Sequence, residues 1–172
     1  MLLTIISIVV LIGLDQLTKY WATIALAPDK AAPFLPGIME LRYTRNEGAA
    51  FSMLADKEWG RWFLIGVTSI ALAVVLYLIL TKTLSTSKLC QAALVLIFAG
   101  GVGNLIDRVR TGYVVDFFAT TFIDFAVFNV ADCFITVGFA LLILYFLLSE
   151  WKARDKKKQP VETEGQDNQD GR

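Results

Sequence analysis

Two polar residues interrupt the first apolar segment of the chain at a spacing that suits an ion pair. Asp15 and Lys19 lie four residues apart within residues 2–26. Residues spaced i and i+4 share one face of a helix, so this acid and this base can pair. Ionisable groups at membrane depth are costly and need a partner or a function. The spacing leaves a structural ion pair and a functional one open.

Further polar groups stand at the end of the third apolar segment and at the start of the fourth. Asn104, Asp107 and Arg108 are spaced i, i+3 and i+4, so they would share one side of a helix. Asn129 and Asp132 are spaced i and i+3. Polar residues at the end of a membrane helix can instead extend their side chains to water. An acid in the first turn of a helix can be there because the helix dipole favours it. Both interpretations remain open for each group.

Asp116 lies in the hydrophobic stretch Val114-Val115-Asp116-Phe117-Phe118 between the last two apolar segments. An acid flanked by valine and phenylalanine is not typical of a solvated loop, although a helix cap or a turn is an alternative. Polar groups from separate segments thus converge on one depth of the membrane. The sequence predicts a polar pocket just below the outer membrane surface.

Composition limits the chemistry of such a pocket. The chain has no histidine, which excludes Ser-His-Asp and Cys-His sites. Its two cysteines, Cys90 and Cys133, fall at opposite membrane faces and are predicted to be small apolar side chains. A carboxylate pair remains, and two close carboxylates hold one proton between them. Such a pair can take a proton from water and donate another, which suits peptide hydrolysis.

The apolar segments that position these groups have the length of membrane spans. Hydrophobic residues make up 56% of the chain, and residues 62–81 and 89–106 contain no Asp, Glu, Lys or Arg. A helix needs about 20 apolar residues to cross a bilayer core. We predict spans over about 2–26, 62–81, 89–106 and 129–149, within one membrane domain of residues 1–151. Residues 152–172 would form a basic and then disordered cytoplasmic tail.

Charge and periodicity predict the orientation and the remaining structure. Basic residues crowd behind the fourth span at 152–158, and Lys82 and Lys88 flank the second loop. The positive-inside rule therefore places both termini and this loop in the cytoplasm, with the first span retained rather than cleaved. Period-two alternation over residues 39–44 predicts a strand, within an extended region of 33–54. The fold class is an all-α membrane protein with four transmembrane helices and a small extracytoplasmic β platform.

At these residues the sequence resembles the lipoprotein signal peptidase (signal peptidase II) family. The resemblance rests on five short motifs that follow one another in order along the membrane domain. They are Asp15-Gln16-Leu17-Thr18-Lys19, Arg45-Asn46-Glu47-Gly48-Ala49-Ala50-Phe51-Ser52, Gly100-Gly101-Val102-Gly103-Asn104-Leu105-Ile106-Asp107-Arg108, Val114-Val115-Asp116-Phe117 and Phe128-Asn129-Val130-Ala131-Asp132. One departure is that the Trp-Pro often found before the fourth-span asparagine is missing here.

The resemblance implies an aspartic peptidase in which Asp116 and Asp132 match the catalytic pair. Other residues match positions that contact the substrate or the cyclic peptide inhibitor globomycin, or that support the pair. These are Asn46, Gly48, Asn104, Arg108 and Asn129. Asp15 matches a residue important for stability, and Lys19 accompanies it.

The implied substrate is a prolipoprotein that carries diacylglyceryl on a cysteine and is cut just before that cysteine. The resemblance implies no metal and no cofactor. We expect a monomer in the bacterial cell membrane, in contact with lipid and not with nucleic acid. The alternative function is a small membrane transporter that uses the outer polar site for a cation or a proton. A second alternative is a non-enzymatic assembly factor, which would tolerate the loss of either aspartate.

Overall fold

Four long helices and a small sheet make up the architecture, so the predicted fold class is confirmed. The computed structural model describes residues 1–26, 31–48 and 59–158, except the side chains of 156–158. The elements in chain order are α1 (Leu2–Ala25), β1 (Ala31–Leu35), β2 (Met39–Asn46), α2 (Gly60–Thr81), α3 (Lys88–Arg110), β3 (Val114–Thr120) and α4 (Val130–Lys158). All four helices are long and apolar enough to cross a membrane.

Helix α3 is the centre of the bundle. Half of its apolar window is buried, against 11% of the corresponding window in each of the other helices. The glycine-rich run Gly100–Gly103 allows close packing on three sides. A methyl group on Gly100 would collide with the Ala131 carbonyl of α4, and one on Gly101 would meet Leu72 of α2. One on Gly103 would collide with the carboxylate of Asp15 in α1.

The sheet is antiparallel with the strand order β1-β2-β3. It packs on the end of α1, where Ala22 and Leu26 form a buried cluster with Val115 and Phe117 of β3. Strand β3 is buried along most of its length, and its Asp116 lies opposite Thr44 of β2. The helix ends that carry the polar residues therefore meet the sheet at one end of the bundle.

The predicted strand over 39–44 is confirmed and extends to Asn46. The extended region predicted from residue 33 begins two residues earlier, at Ala31, and Pro33 lies within β1. An edge strand tolerates proline because it has no neighbour on one side to receive a backbone N–H. Gly37, with φ of 75°, forms the turn between β1 and β2. The predicted extended residues 49–54 lie outside the described residues.

The helices differ from the predicted boundaries of the last two spans. Helix α3 begins at Lys88 and continues to Arg110, so Asp107 and Arg108 lie on the helix, as their spacing predicted. Helix α4 begins at Val130, one residue after Asn129, and continues to Lys158. The basic segment behind the fourth span thus starts as helix, because lysine, arginine and glutamate are good helix formers. The predicted disordered residues 159–172 lie outside the described part of the chain.

Candidate active site

Asp116 is buried in β3 with both carboxylate oxygens bound. Its side chain is 2% exposed. The Nδ2 group of Asn129 donates to Oδ1 at 2.6 Å, and Nδ2 of Asn46 donates to Oδ2 at 3.0 Å. Burial raises the pKa of Asp116 to about 6, the Asn46 hydrogen bond opposes the rise, and the charge of Asp132 adds to it. This carboxyl can therefore gain or lose a proton near neutral pH.

Asp132 lies in the first turn of α4 and is bound on both oxygens as well. The backbone N–H of Asn129 donates to Oδ2 at 3.1 Å, and the N–H of Asp132 donates back to Oδ1 of Asn129 at 3.0 Å. This reciprocal pair is the geometry of a capping box, which satisfies two free N–H groups of the helix. Nδ2 of Asn104 donates to Oδ1 of Asp132 at 2.8 Å. The backbone N–H of Asn129 and the side chain of Asn104 therefore hold this carboxylate in place at the start of α4.

The two aspartates are connected through asparagine side chains. Nδ2 of Asn129 donates to Asp116 and also to Oδ1 of Asn104, the latter at 3.2 Å. Asn104 in turn binds Asp132. One continuous hydrogen-bond network therefore links both carboxylates and fixes their relative placement.

A buried ion-pair cluster lies beside this network. Nζ of Lys19 is 3.0 Å from Oδ2 of Asp15 and 3.0 Å from Oδ2 of Asp107, and it donates to Oδ1 of Asn104 at 2.8 Å. The pair predicted from the i, i+4 spacing is thus present, with Asp15 0% and Lys19 3% exposed. Oδ1 of Asp15 also accepts the N–H of Ala131 at 3.0 Å. The cluster joins α1 to α3 and to the start of α4.

Two members of this cluster were not among the predicted site residues. Asp107 accepts from Nε2 of Gln16 at 3.0 Å and from the N–H of Val115 at 3.3 Å. Gln16 also donates to the Gly103 carbonyl at 3.2 Å. A glutamine within an apolar span and an acid three residues before the end of α3 were the available signals. Their partners lie far away in sequence, so spacing alone could not assign them.

Arg108 reaches from α3 across to the loop after β2. Its Nη2 donates to the carbonyl of Gly48 at 3.1 Å, and the N–H of Gly48 donates to Oδ1 of Asn46 at 3.1 Å. Gly48 is therefore held through both its carbonyl and its N–H. Nε of Arg108 is buried and has no hydrogen-bond partner among the residues that the structure describes. Within this part of the chain, the donor is thus available to a ligand.

Arg61, which the sequence did not single out, closes the C-terminal end of α3. Its Nε donates to the carbonyl of Arg108 at 3.0 Å, and its Nη2 donates to that of Val109 at 2.9 Å. The last carbonyls of a helix have no partner within the helix and carry partial negative charge, so a guanidinium here is favourable. Arg61 thereby ties the start of α2 to the turn of α3 that carries Arg108.

A cavity of about 520 Å³ opens at this end of the bundle. It brings together five of the predicted site residues: Asn46, Asn104, Arg108, Asp116 and Asp132. Its other walls are mainly apolar and come from β3, from the segment before α4 and from α4, namely Val114, Phe125, Ala126, Val127, Phe128, Cys133, Thr136 and Val137. A smaller cavity of about 350 Å³ shares Asn46 and Asp116 with it. The aspartates therefore face a space that could hold an apolar chain and its backbone.

The remaining predicted residues surround this cavity without lining it. Asn129 is 0% exposed and lies behind the two aspartates, while Asp15 and Lys19 lie in the buried cluster. Gly48 contacts the site through Arg108. Within the described ranges, no group of three or more Cys, Asp or Glu side chains is arranged to hold a metal ion.

The sequence is similar to a known protein family and to individual proteins of bacteria. The family described as Signal peptidase (SPase) II matches residues 7–148. The chain is 42% identical over 154 residues to the lipoprotein signal peptidase of Streptococcus pyogenes serotype M6, covering 89% of this chain and 95% of that protein. The protein of the same name from Streptococcus pyogenes serotype M5 matches to the same extent.

Two solved structures have the same fold. Both are described as bacterial membrane enzymes determined by the in meso method. The first has a TM-score of 0.79 and 34% identity, and the match covers 92% of this chain and 94% of that one. The second has a TM-score of 0.74 and 35% identity, covering 84% and 92%. With its four apolar helices the chain is a multi-pass membrane protein, and it belongs to the signal peptidase II (lipoprotein signal peptidase) family.

Proposed function

We propose that this chain is an aspartic endopeptidase that removes the signal peptide from prolipoproteins. The substrate carries diacylglyceryl on a cysteine, and the bond cut is the one just before that cysteine. Membership of the signal peptidase II family supports the peptidase activity. The observation that carries the proposal is that Asp116 and Asp132 border one cavity within one hydrogen-bond network.

In the proposed mechanism the two carboxyl groups hold one proton between them. The ionised carboxylate takes a proton from a water molecule as that water attacks the scissile carbonyl carbon. The protonated carboxyl gives its proton to the carbonyl oxygen. The tetrahedral intermediate then collapses: its hydroxyl returns a proton to the second carboxylate, and the first carboxyl protonates the departing amide nitrogen as the C–N bond breaks. Both carboxyl groups end in the states in which they began.

The cavity suits an extended apolar peptide with acyl chains beside it. Its walls include Phe125, Phe128 and Val137, which would bury apolar surface of the signal peptide and of the lipid. Arg108 has a free buried donor that can bind a substrate carbonyl next to the reacting bond. Holding the bond in place in this way lowers the entropic cost of the water attack.

The lipid on the substrate explains why the site should lie at the membrane surface. We infer that the sheet end of the bundle is extracytoplasmic and that both termini and Lys82–Lys88 are cytoplasmic. The basic residues Lys82, Lys88, Lys152 and Arg154 occur at the helix ends remote from the sheet. A reporter fused after Lys158 should be active only inside the cell, and activity outside would contradict this orientation.

The transporter alternative requires polar groups along the whole membrane depth. At the end of the bundle remote from the sheet, the described core instead contains Ile79, Cys90, Leu94 and Val95, packed against further apolar side chains. A conducting path for a cation or a proton would have to cross this cluster. The peptidase needs a polar site at one end only, so the distribution favours the peptidase.

The direct test is cleavage by the purified protein in detergent or lipid. The substrate is a synthetic prolipoprotein peptide with a diacylated cysteine, compared with the same peptide without the lipid. We expect cleavage before the cysteine of the lipidated peptide only, unchanged by a chelator, because water is activated by a carboxylate. Absence of cleavage, or inactivation by the chelator that added metal reverses, would contradict the proposal.

A further inference from the structure

Three asparagine amides surround the two aspartates, and each has its oxygen bound by a group that can only donate. Oδ1 of Asn46 accepts the N–H of Gly48 at 3.1 Å, and Oδ1 of Asn129 accepts the N–H of Asp132 at 3.0 Å. A backbone N–H has no acceptor capacity, so the amide oxygen must face it. Each NH₂ group is therefore left to donate to a carboxylate.

Asn104 follows the same rule, but its anchor is a side chain. Nζ of Lys19 donates to Oδ1 of Asn104 at 2.8 Å, while Nδ2 of Asn104 donates to Oδ1 of Asp132 at 2.8 Å. An ammonium group has donors and no acceptor. Rotating the amide by 180° would place an NH₂ against the ammonium and an oxygen against the carboxylate. Both contacts would be repulsive, so Lys19 selects one orientation of Asn104.

Lys19 is itself held without freedom to move. Its three N–H groups have three acceptors, in Asn104, Asp15 and Asp107, with the two carboxylate oxygens each 3.0 Å away. Only 3% of its side chain is exposed. The cluster of one cation and two acids carries a net charge of −1 when ionised. Because Lys19 is buried and fixed, its hydrogen bond also restricts the position of the Asn104 amide oxygen.

We propose that Lys19 is a positioning residue for the catalytic pair, acting by fixing the amide of Asn104 so that its NH₂ donates to Asp132. The inference rests on the proposed peptidase function. Lys19 does not contact Asp132 or the substrate in this account. Without Lys19, only the 3.2 Å contact from Nδ2 of Asn129 still holds the amide oxygen of Asn104. The amide is then less firmly fixed, and Asp132 can lose the donor that orients its carboxylate.

The test uses a substitution that keeps the charge of the buried cluster. Lys19→Met alone would leave two buried acids without their cation and endanger the fold. The double variant Lys19→Met/Asp107→Asn removes one positive and one negative charge, so the net charge of −1 is kept. It is compared with Asp107→Asn alone, and a Lys88→Met variant, at an exposed position on α3, controls for loss of a lysine.

We expect kcat of the double variant to be about tenfold to a hundredfold below that of Asp107→Asn, with a much smaller change in KM. A purely structural role would lower the amount of folded enzyme and leave kcat per folded enzyme unchanged. Equal kcat per folded enzyme in the two variants would overturn the inference.

The route through Asn104 has its own test. Asn104→Asp keeps an acceptor for Lys19 but removes the NH₂ that binds Asp132, so the protein should fold and lose kcat. In an Asn104→Ala/Asp107→Asn background, Lys19→Met should cause no further loss of kcat, since the amide that Lys19 positions is gone. Independent, multiplicative losses would overturn the inference. Inactive wild-type protein would instead contradict the proposed function itself.

Discussion

Nδ2 of Asn129 lies 2.6 Å from Oδ1 of Asp116, while the backbone N–H and the side-chain oxygen of the same asparagine bind Asp132. Asn129 is thus the N-cap of α4 and a donor to the carboxylate of a different element. A single side chain therefore connects the start of α4 to the middle of β3. Substitution of Asn129 should therefore affect both the helix and the aspartate pair.

Asn129→Ala should lower activity and stability together. It removes the donor to Asp116 and one half of the capping box, and loss of an N-cap costs about 1 kcal/mol. We expect kcat to fall by about a hundredfold and Tm to decrease. Ser87→Ala is the matched control, because Ser87 is the N-cap of α3 but makes no side-chain capping bond. An equal effect of the two substitutions on Tm would contradict the role given to Asn129.

Asp116→Asn should change how stability depends on pH. The folded-state pKa of Asp116 is raised to about 6 from 3.8, so the folded protein binds more protons than the unfolded chain between these values. Stability from this group is present below pH 3.8 and is lost as the pH rises through about 6. The Tm of the variant relative to wild type should therefore increase between pH 4 and pH 7, by the equivalent of about 3 kcal/mol. A difference that stays constant over this range would contradict the raised pKa.

Arg108→Lys should reduce kcat/KM strongly although the charge is kept. The Nη2 group of Arg108 donates to the Gly48 carbonyl, and its buried Nε has no partner among the described residues. An ammonium cannot reproduce this planar set of donors. We expect a loss of about a hundredfold, measured on the diacylated peptide. Arg42→Lys, an exposed position on β2, is the control and should behave as wild type. Wild-type rates for Arg108→Lys would mean that Arg108 acts only as a charge.

Cys133 offers a chemical test of the cavity. It lines the space next to Asp132, whereas Cys90 is 0% exposed in the core at the other end of the bundle. A small apolar thiol reagent should label Cys133, block cleavage and be excluded by the diacylated peptide. Cys133→Ser should stay active in the presence of the reagent. Labelling that the peptide does not slow would place the substrate elsewhere.

Local sequence rules predicted much of this architecture. The spacing of Asp15 and Lys19 predicted their ion pair, and the alternation over residues 39–44 predicted β2. Each of these features depends on neighbours within one element, where helix and strand periodicity apply. The polar groups from separate segments also converge, because membrane depth restricts where they can lie.

Contacts between distant segments could not be predicted in the same way. The bond from Lys19 to Asn104 joins residues 85 apart, and the bond from Arg61 to the carbonyl of Arg108 joins residues 47 apart. No periodicity relates such residues, and only the packing of α1 and α2 on α3 brings them together. The start of α4 was misplaced by one residue, since an N-cap and the first helical residue are hard to distinguish from sequence.

We propose that Asp116 and Asp132 act as one catalytic unit. The most direct test is to measure kcat for Asp116→Asn, for Asp132→Asn and for the double variant. Asparagine keeps the size of the side chain but cannot exchange the proton. In protein shown by its Tm to be folded, each single substitution should lower kcat by about ten-thousandfold or more, and the double variant should be scarcely worse. Asp155→Asn, an exposed acid near the end of α4, should cleave at the wild-type rate. Substantial turnover by either single variant, or losses that multiply in the double variant, would contradict the account.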